Sequence, residues 1–305
     1  MQEIIERYKN YLEAERNASP YTVRNYIHDL NEFINFLSEK RVASLDEVDR
    51  QLVREYLSEL NKKGIFKTSM ARKLSALRSF YKYLAREGMI ESNPLEGTSS
   101  PKLDRRLPSF LTLEEVERLL KAPNLSTPKG MRDRALIELI YASGLRVSEL
   151  VGLNLEDVDL DNREIRVWGK GSKERVVLMG KPAAAALTTY IREARPKLLG
   201  SKKTNALFLN RDGERLIERR VQKIIEENAK AAGIKKRVHP HTLRHTFATH
   251  LLDGGADLRV LQGLLGHASL SSTQIYTHVT KSQARKIYLK AHPMAEKESK
   301  ENENK

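Results

Sequence analysis

The sequence predicts a mainly α-helical protein of two domains, the second of which contains a small antiparallel β-sheet. Most of the chain repeats apolar residues at the spacing of an amphipathic helix. Residues 93–108 are rich in proline, glycine and serine, which is typical of a linker. Residues 163–179 alternate polar and apolar side chains on both sides of the turn sequence GKGSK, as two paired strands do.

Residues 1–92 are predicted to form a bundle of four helices, because four amphipathic segments follow one another with short turns between them. The second segment opens with Ser19, a residue suited to cap a helix. It continues with Pro20, which is favoured at the first helical position. The third and fourth segments end near Gly64 and Gly88. No strand is predicted in this domain.

Residues 109–294 are predicted to form the second domain, in which helices surround the small sheet. Thr112 and Glu115 have the spacing of a capping box at the start of its first helix. Gly144 is expected to separate two consecutive helices. Beyond the predicted β-hairpin the periodicity is again helical. Residues 295–305 are charged, lack large apolar side chains and are predicted to be disordered.

The composition favours an intracellular protein that binds a polyanion. The 305 residues carry a formal net charge of +14, and the excess lies mainly in residues 108–294, where 32 basic side chains oppose 20 acidic ones. A basic domain of this kind most often binds nucleic acid. The chain has no cysteine, which excludes disulfides, thiolate metal sites and cysteine nucleophiles. No apolar run is long enough to cross a membrane, so a cytoplasmic, nucleoid-associated protein is expected.

The sequence HPHTLRHTFATH at residues 239–250 combines four histidines with an arginine. A zinc protease site would carry a glutamate directly after the first histidine of HxxxH, whereas Thr242 follows His241 here. A metal site is therefore not expected. His241 and Arg244 lie three residues apart at the start of a predicted helix, where backbone N–H groups also favour an anion, so they predict a phosphate site. The other histidines are expected to serve local structure.

Further candidate side chains lie in three other short motifs. GLRVSEL places Arg146 at the start of a helix and puts Glu149 three residues later, where it can orient the guanidinium. GKGSK places Lys170 between two glycines, in a loop that lacks the spacing of an ATP-binding P-loop. LLGHASLSSTQIYTH contains His267 and, nine residues later, Tyr276, a candidate nucleophile.

Taken in order, these four motifs resemble those of the tyrosine recombinase (integrase) family, and the resemblance is closest to its Xer subgroup. It extends over nearly the whole chain, since SPYTVRNYIHDLNEFINFL and RKLSALRSFYKYL are similar to the core-binding helices of that family. The resemblance implies an N-terminal four-helix core-binding domain of SAM-like fold and an α-rich catalytic domain, which together form a C-shaped clamp on DNA. It also implies a site-specific recombinase that needs no metal, no ATP and no other cofactor.

The resemblance implies how the phosphate would be attacked and held. Tyr276 would attack the scissile phosphate and form a 3′-phosphotyrosyl bond. Arg146 and Arg244 would bind the non-bridging oxygens. Glu149 would help to orient these arginines without contacting the phosphate itself. Fixed guanidinium groups suit this task because negative charge accumulates on those oxygens in the transition state.

The resemblance also implies where the protons would go. His241 and His267 would assist through hydrogen bonds, and His241 is in addition the candidate that accepts the tyrosine proton. Lys170 would protonate the leaving 5′-oxygen, with Lys173 as the neighbouring alternative in the same loop. Both proton transfers are needed, because a phenol near pKa 10 is a weak nucleophile and an alkoxide is a poor leaving group.

The biological role that the resemblance implies is the resolution of chromosome or plasmid dimers at cell division and chromosome partition. The expected partners are double-stranded DNA and a homo- or hetero-tetramer of protomers on two duplexes, in which the C-terminal helix near residues 282–292 contacts a neighbour. A DNA translocase is a further candidate partner, and no membrane is involved.

Three alternatives remain open on the sequence. The first is an integrase of a mobile element, although the chain begins directly with the core-binding helices. The second is a type IB topoisomerase, against which the helical segment SQARKIYLKAH after Tyr276 speaks. The third is a non-catalytic DNA-binding protein, against which the complete set of candidate residues speaks.

Overall fold

The computed structural model describes residues 1–97, 110–168, 174–265 and 281–295. The chain divides into two compact units, Met1–Arg106 and Leu107–Lys305, and each unit has its own apolar core. The predicted fold class is confirmed, since the described residues form a mainly helical protein with one small antiparallel sheet. None of the helices that they form is long and apolar enough to span a membrane.

Within residues 1–97 the chain forms the four predicted helices. They are α1 (Gln2–Ala14), α2 (Pro20–Glu39), α3 (Arg50–Lys62) and α4 (Lys67–Arg86). A short 3-10 helix, Leu45–Glu47, precedes α3. The predicted cap is present, because the Ser19 hydroxyl accepts a hydrogen bond of 3.1 Å from the Thr22 backbone N–H. α3 and α4 stop just before Gly64 and Gly88, whose positive φ angles suit glycine at a helix end.

Among the described residues of the first unit, the buried charged side chains form one cluster between α2 and α4. Large side chains such as Tyr8 and Phe33 are completely buried in the apolar core of this unit. Asp29 accepts hydrogen bonds from Lys73, at 3.0 Å, and from Arg72. A buried carboxylate is tolerated only when it is paired. The cluster therefore fixes how α2 and α4 are aligned along each other.

The second unit packs a longer series of helices around a three-stranded sheet. Before the sheet come α5 (Leu113–Lys121), α6 (Pro128–Ser143), α7 (Val147–Gly152) and a 3-10 turn (Leu155–Asp157). The strands are β1 (Val158–Asp159), β2 (Glu164–Trp168) and β3 (Glu174–Leu178). After the sheet come α8 (Lys181–Thr189), a π-helical turn (Tyr190–Ala194), α9 (Arg195–Leu199), α10 (Glu218–Ala231), α11 (Pro240–Asp253), α12 (Leu258–Leu265) and α13 (Lys281–Ala291).

Local sequence signals place the hairpin and the first helix of this unit correctly. β2 pairs antiparallel with β3, as predicted, and β1 adds an edge strand on the other side of β2. Ile165 and Val167 of β2 are buried while their neighbours in the strand are more exposed, which is the alternation expected of a half-buried strand. The capping box is also present: the Thr112 N–H donates to the Glu115 carboxylate at 2.9 Å, and the Glu115 N–H donates to the Thr112 hydroxyl at 3.3 Å.

Gly144 ends α6 and lets the chain enter α7 after a short turn, as the sequence predicts. Its φ angle is 61°, in the left-handed region. A Cβ at this position would lie 2.5 Å from the ring of Phe247 on α11 and 3.0 Å from the side chain of Leu265 on α12. Glycine is therefore required here for the backbone conformation and also for the close approach of two helices.

We expect Gly144→Ala to destabilise the second unit by about 2–4 kcal/mol, because left-handed strain and overpacking add at this position. Two matched variants separate the causes. Gly255→Ala has a φ of 86° but open space around it, so it should show the strain alone. Gly152→Ala has neither problem and should be near neutral. Chemical unfolding measures all three. Equal losses for Gly144→Ala and Gly255→Ala would show that the contact with Phe247 is unimportant.

α13 packs against α11 and α12 of its own chain. Tyr288 and Ala291 are buried in a cluster with Phe247, Leu251 and residues of α12. The family resemblance implies that the helix near residues 282–292 contacts a neighbouring protomer. As placed here, Tyr288 is 1% exposed and is used within the chain, because the apolar face of α13 meets the apolar face of α11.

His292 anchors the end of α13 in this cluster. Its Nδ1 accepts a hydrogen bond of 3.2 Å from the Met294 N–H, and its Nε2 lies 3.3 Å from the Tyr141 carbonyl oxygen. A ring that accepts at one nitrogen and donates at the other is neutral. Burial lowers the pKa of His292 to about 4, and it also lowers the pKa of the neighbouring His250.

Stability is therefore expected to fall when the pH drops below about 6.5, where an unfolded histidine becomes protonated. Between that value and the folded pKa of about 4, the unfolded chain binds a proton that the folded chain does not, so stability rises with pH. The full loss at His292 is about 3 kcal/mol. Unfolding at a series of pH values, with hydrogen exchange in α13, measures it. His292→Gln should flatten the dependence and the exposed control His28→Gln should not; equal slopes in both would contradict this account.

Several predicted features lie outside the described residues. They are residues 98–108 of the linker, the C-terminal residues 296–305, and the candidate site residues Lys170, His267 and Tyr276.

Candidate catalytic site

Arg146 and Glu149 meet at the beginning of α7, as the sequence predicts. The Glu149 carboxylate accepts a hydrogen bond of 2.8 Å from Arg146 Nη1 and another of 2.8 Å from the Arg146 backbone N–H. The Glu149 side chain is 5% exposed and that of Arg146 is 37% exposed. This is therefore not a surface ion pair. The buried carboxylate holds a guanidinium that stays open to solvent.

Arg175 of β3 grips the same carboxylate from the other side. Its Nη1 and Nη2 donate to the two oxygens of Glu149 at 2.8 and 2.9 Å, a two-pronged contact. Sequence reasoning missed this residue, because 26 positions separate the partners. The available signal was weak: an arginine in a strand that emerges from the loop carrying Lys170.

Arg244 lies on the second turn of α11 and is 9% exposed. Its Nη1 donates to the carbonyl oxygen of Gly144, and its Nη2 donates to that of Leu265 at 2.6 Å. The first carbonyl precedes Arg146 by two residues, and the second precedes His267 by two residues. Arg244 thus joins three of the motifs that the sequence singled out.

The site carries more positive than negative charge. Burial, together with repulsion from Arg146, lowers the pKa of Arg244 to about 10, while Glu149 acts in the opposite direction. Burial alone would raise the pKa of Glu149, but hydrogen bonds from Arg175 and Arg146 outweigh it and hold that pKa below its usual value. Two guanidinium groups thus bond to Glu149, and a third, that of Arg244, lies close enough to interact with its charge. Such a site favours a bound anion.

The histidines at α11 differ in exposure and in hydrogen bonding. His241 is exposed on the first turn, three residues before Arg244. His239 caps the helix, since its Nδ1 accepts a hydrogen bond of 3.1 Å from the Thr242 N–H. His250 is buried and bonds to the Tyr141 hydroxyl at 2.9 Å. No three His, Asp or Glu side chains lie close enough to hold a metal ion in the part of the chain that the structure describes.

Arg215 is a second residue that the sequence did not single out. Its Nη1 donates to the carbonyl oxygens of Val151 and Leu153, at 2.7 and 2.9 Å. These two carbonyls lie at the end of α7, where backbone acceptors lack partners within the helix. Arg215 therefore holds the far end of the short helix whose beginning carries Arg146.

The structure thus brings Arg146 and Glu149 of one motif close to Arg244 of another, with His241 on the same helix as Arg244. It adds Arg175 to the set. Lys170, His267 and Tyr276 lie outside the described residues, so their places relative to this site are not given by it.

Comparison with known proteins assigns both units to the same protein family. The model for "Phage integrase family" matches residues 109–283, and that for "Phage integrase, N-terminal SAM-like domain" matches residues 5–88. Tyrosine recombinase XerC of Pelotomaculum thermopropionicum is 47% identical over 300 residues, which cover 95% of this chain and 98% of that protein. Tyrosine recombinase XerD of Staphylococcus aureus is 45% identical over 295 residues, which cover 97% of this chain and 100% of that protein.

A solved structure of a recombinase is also similar to this chain. The crystal structure of XerH site-specific recombinase, bound to palindromic difH substrate in a post-cleavage complex, is similar with a TM-score of 0.69 and 29% identity. The match covers 90% of this chain and 81% of that one. The similarity therefore extends over both units.

Proposed function

Because this chain belongs to the phage integrase family and is a tyrosine recombinase, we propose that it cuts and rejoins DNA through a 3′-phosphotyrosyl bond to Tyr276. The phenol oxygen attacks the scissile phosphorus, the bond from phosphorus to the 5′-oxygen breaks, and a 5′-hydroxyl leaves. The reverse attack by a 5′-hydroxyl of another strand restores the DNA backbone. The phosphotyrosyl bond conserves the energy of the broken bond, so no ATP is needed.

The observation that carries this proposal is the excess positive charge around Glu149. Arg146 and Arg244 each present a guanidinium, and Arg175 adds a third, while one carboxylate opposes them. A phosphodiester that becomes more negative in its transition state is the ligand that such a site stabilises best. The backbone carbonyls and Glu149 hold these arginines in place before the substrate arrives, so little reorganisation is required.

The tyrosines of the second unit support Tyr276 as the nucleophile. Among its described residues the tyrosines are Tyr141, Tyr190 and Tyr288, and all three are at most 1% exposed. Burial raises the pKa of each phenol, which makes the phenolate less available. None of these three hydroxyls can reach a DNA strand without unfolding. Tyr276 remains as the candidate in this unit.

The proton transfers are assigned to three side chains. His241 takes the phenol proton of Tyr276, and its exposed place before Arg244 supports this role. Lys170 gives a proton to the leaving 5′-oxygen, and His267 donates a hydrogen bond to a non-bridging oxygen. The roles of Lys170 and His267 rest on the family resemblance of their motifs, GKGSK and LLGH.

The two units correspond to two DNA-binding domains in this proposal. Residues 1–92 form the core-binding domain and residues 109–294 the catalytic domain, and both bind the DNA duplex. The similar XerH recombinase was crystallised with its DNA substrate, which supports DNA binding by this chain. Strand exchange requires four protomers on two duplexes, and the segment near residues 282–292 contacts a neighbour through side chains other than the buried Tyr288.

The biological role that we propose is the resolution of chromosome or plasmid dimers. Its support is the similarity to XerC and XerD proteins over almost their whole length. An integrase of a mobile element would use the same chemistry at a different place in the genome. The position of the cleaved DNA therefore separates the two roles.

Covalent capture of genomic DNA tests the proposal. Wild-type protein is incubated with sheared DNA of its source organism, free protein is removed under denaturing conditions, and the attached fragments are sequenced. We expect one enriched site and a nucleotide-modified peptide that contains Tyr276. A site on the chromosome away from mobile elements supports dimer resolution, and a site at an element boundary supports integration. Failure to recover any covalent adduct would remove the support for a recombinase.

A further inference from the structure

We propose that Arg175 is a positioning residue for strand cleavage, which acts on the phosphate through Glu149 and Arg146. This role rests on the proposed function and extends it to a side chain of the β-hairpin. Arg175 does not touch the DNA in this proposal. It sets the orientation of the carboxylate that in turn sets the orientation of a phosphate-binding guanidinium.

The hydrogen bonds of Glu149 show how this relay is built. One carboxylate oxygen accepts from Nη1 of Arg146 and Nη1 of Arg175, each at 2.8 Å. The other accepts from the Arg146 backbone N–H at 2.8 Å and from Nη2 of Arg175 at 2.9 Å. A carboxylate has about four acceptor positions, and all of them are in use. Glu149 therefore cannot rotate without breaking the contact with Arg175.

Exposure separates the two arginines. The side chain of Arg146 is 37% exposed and that of Arg175 is 17% exposed. Both terminal nitrogens of Arg175 point at Glu149, and its side chain is the less exposed of the two. Arg146 is the member of the pair that remains accessible to a ligand, and Arg175 is the member that holds the support in place.

Stabilisation of the fold is by itself a weak explanation for the ion pair between Arg175 and Glu149. Burying an ion pair seldom stabilises a fold more than apolar packing would. Arg175 also leaves its Nε buried without a hydrogen-bond partner among the described residues, which adds to the cost. This energetically costly arrangement is explained if it fixes the orientation of Glu149 for catalysis. At metal sites, residues that orient a ligand typically affect activity by about 10–100-fold, and we expect an effect of the same order here.

The hairpin gives this contact a further consequence. Arg175 faces Val167 across the β2–β3 pair, so its backbone position is set by the sheet. It follows Lys173, the last residue of the loop GKGSK, by two positions. The contact with Glu149 therefore ties the strand that leaves this loop to the helix that begins after Arg146.

The test compares Arg175→Ala, Arg175→Lys, Glu149→Ala and the double variant Arg175→Ala/Glu149→Ala with wild type. Arg166→Ala is the matched control, because Arg166 is an exposed arginine of the same hairpin that bonds only to the backbone carbonyl of Glu156 among the contacts seen here. The substrate is a nicked duplex carrying the site recovered by covalent capture. The measurements are the single-turnover rate of adduct formation, the Kd for the duplex and the unfolding midpoint.

We expect Arg175→Ala to lower the cleavage rate by about 10–100-fold and to leave the Kd nearly unchanged. Arg175→Lys should recover part of the rate, because an ammonium can hold one oxygen but not both. The double variant should be no slower than Glu149→Ala, since both changes remove the same support for Arg146. The control Arg166→Ala should cleave like wild type.

A duplex with a neutral methylphosphonate at the scissile position supplies a readout that a purely structural role would not affect. Removing the negative charge reduces the need for a well-placed Arg146, so the defect of Arg175→Ala should shrink on this duplex. A wild-type rate for Arg175→Ala would overturn the inference alone. Equal rate defects on both duplexes, together with a lowered unfolding midpoint, would also overturn it, because they indicate that Arg175 only stabilises the fold. No adduct with wild type would overturn the proposed function and this role with it.

Discussion

Tyr276→Phe is expected to abolish covalent capture of DNA while leaving DNA binding intact. Phenylalanine keeps the ring and removes only the oxygen that attacks phosphorus, so the expected loss is on the order of 10⁴-fold or more. No other described tyrosine of the second unit can substitute, because Tyr141, Tyr190 and Tyr288 are buried. The adduct is measured on a denaturing gel with a nicked duplex, and binding is measured by fluorescence anisotropy.

The matched control is Tyr21→Phe. Tyr21 is 67% exposed on the first unit, so it tests whether any accessible phenol can be captured. This variant should form the adduct at the wild-type rate. If Tyr276→Phe still forms an adduct, peptide mapping will identify the tyrosine that carries it. That result would leave the phosphotyrosyl chemistry in place and refute the assignment of Tyr276.

Arg244→Ala is expected to have the second largest effect, about 10³-fold or more on the rate of adduct formation. The guanidinium is proposed to stabilise the charge that develops on the phosphate, a contribution of about 3–4 kcal/mol for one well-placed donor. Its loss also leaves the carbonyl oxygens of Gly144 and Leu265 without a buried donor. Stability should therefore fall by about 1–3 kcal/mol as well. Single-turnover cleavage and chemical unfolding measure the two effects separately.

Two further variants separate charge from geometry. Arg244→Lys keeps the charge but cannot reach two carbonyls and a phosphate with one point donor, so it should stay well below wild type. Arg237→Ala removes a largely exposed arginine three residues before α11 and should cleave almost normally. If Arg244→Ala cleaves within tenfold of wild type at a temperature where it is folded, Arg244 does not bind the scissile phosphate.

The two predictions depend on different kinds of information. The assignment of Tyr276 comes from the motif around it and from the burial of its competitors. The effect of Arg244→Ala comes from contacts that the motif does not contain, because Gly144 and Leu265 lie 100 and 21 residues away from it. The sequence predicted that Arg244 binds an anion. It did not predict that the same side chain connects the turn before Arg146 to the end of α12.

The same distinction between local and long-range contacts applies to the charged residues around Glu149. Its contact with Arg146 was predictable, because residues three apart at a helix start are neighbours whatever the rest of the fold does. Its contact with Arg175 was not predictable, because the pairing of β2 with β3 and the packing of α7 together decide it. Arg215 was missed for the same reason, since its carbonyl partners are more than 60 residues away.

The sequence by itself determined the helical bundle, the hairpin, the Ser19 cap, the break at Gly144 and the set of motifs that identify the family. Each of these depends on residues within a few positions of one another, so local spacing is enough. Only the tertiary structure decided which side chains support the phosphate site and which tyrosines are withdrawn from it. The burial of a long side chain and its bonding partners depend on segments that come into contact only after folding. No local sequence pattern predicts those contacts.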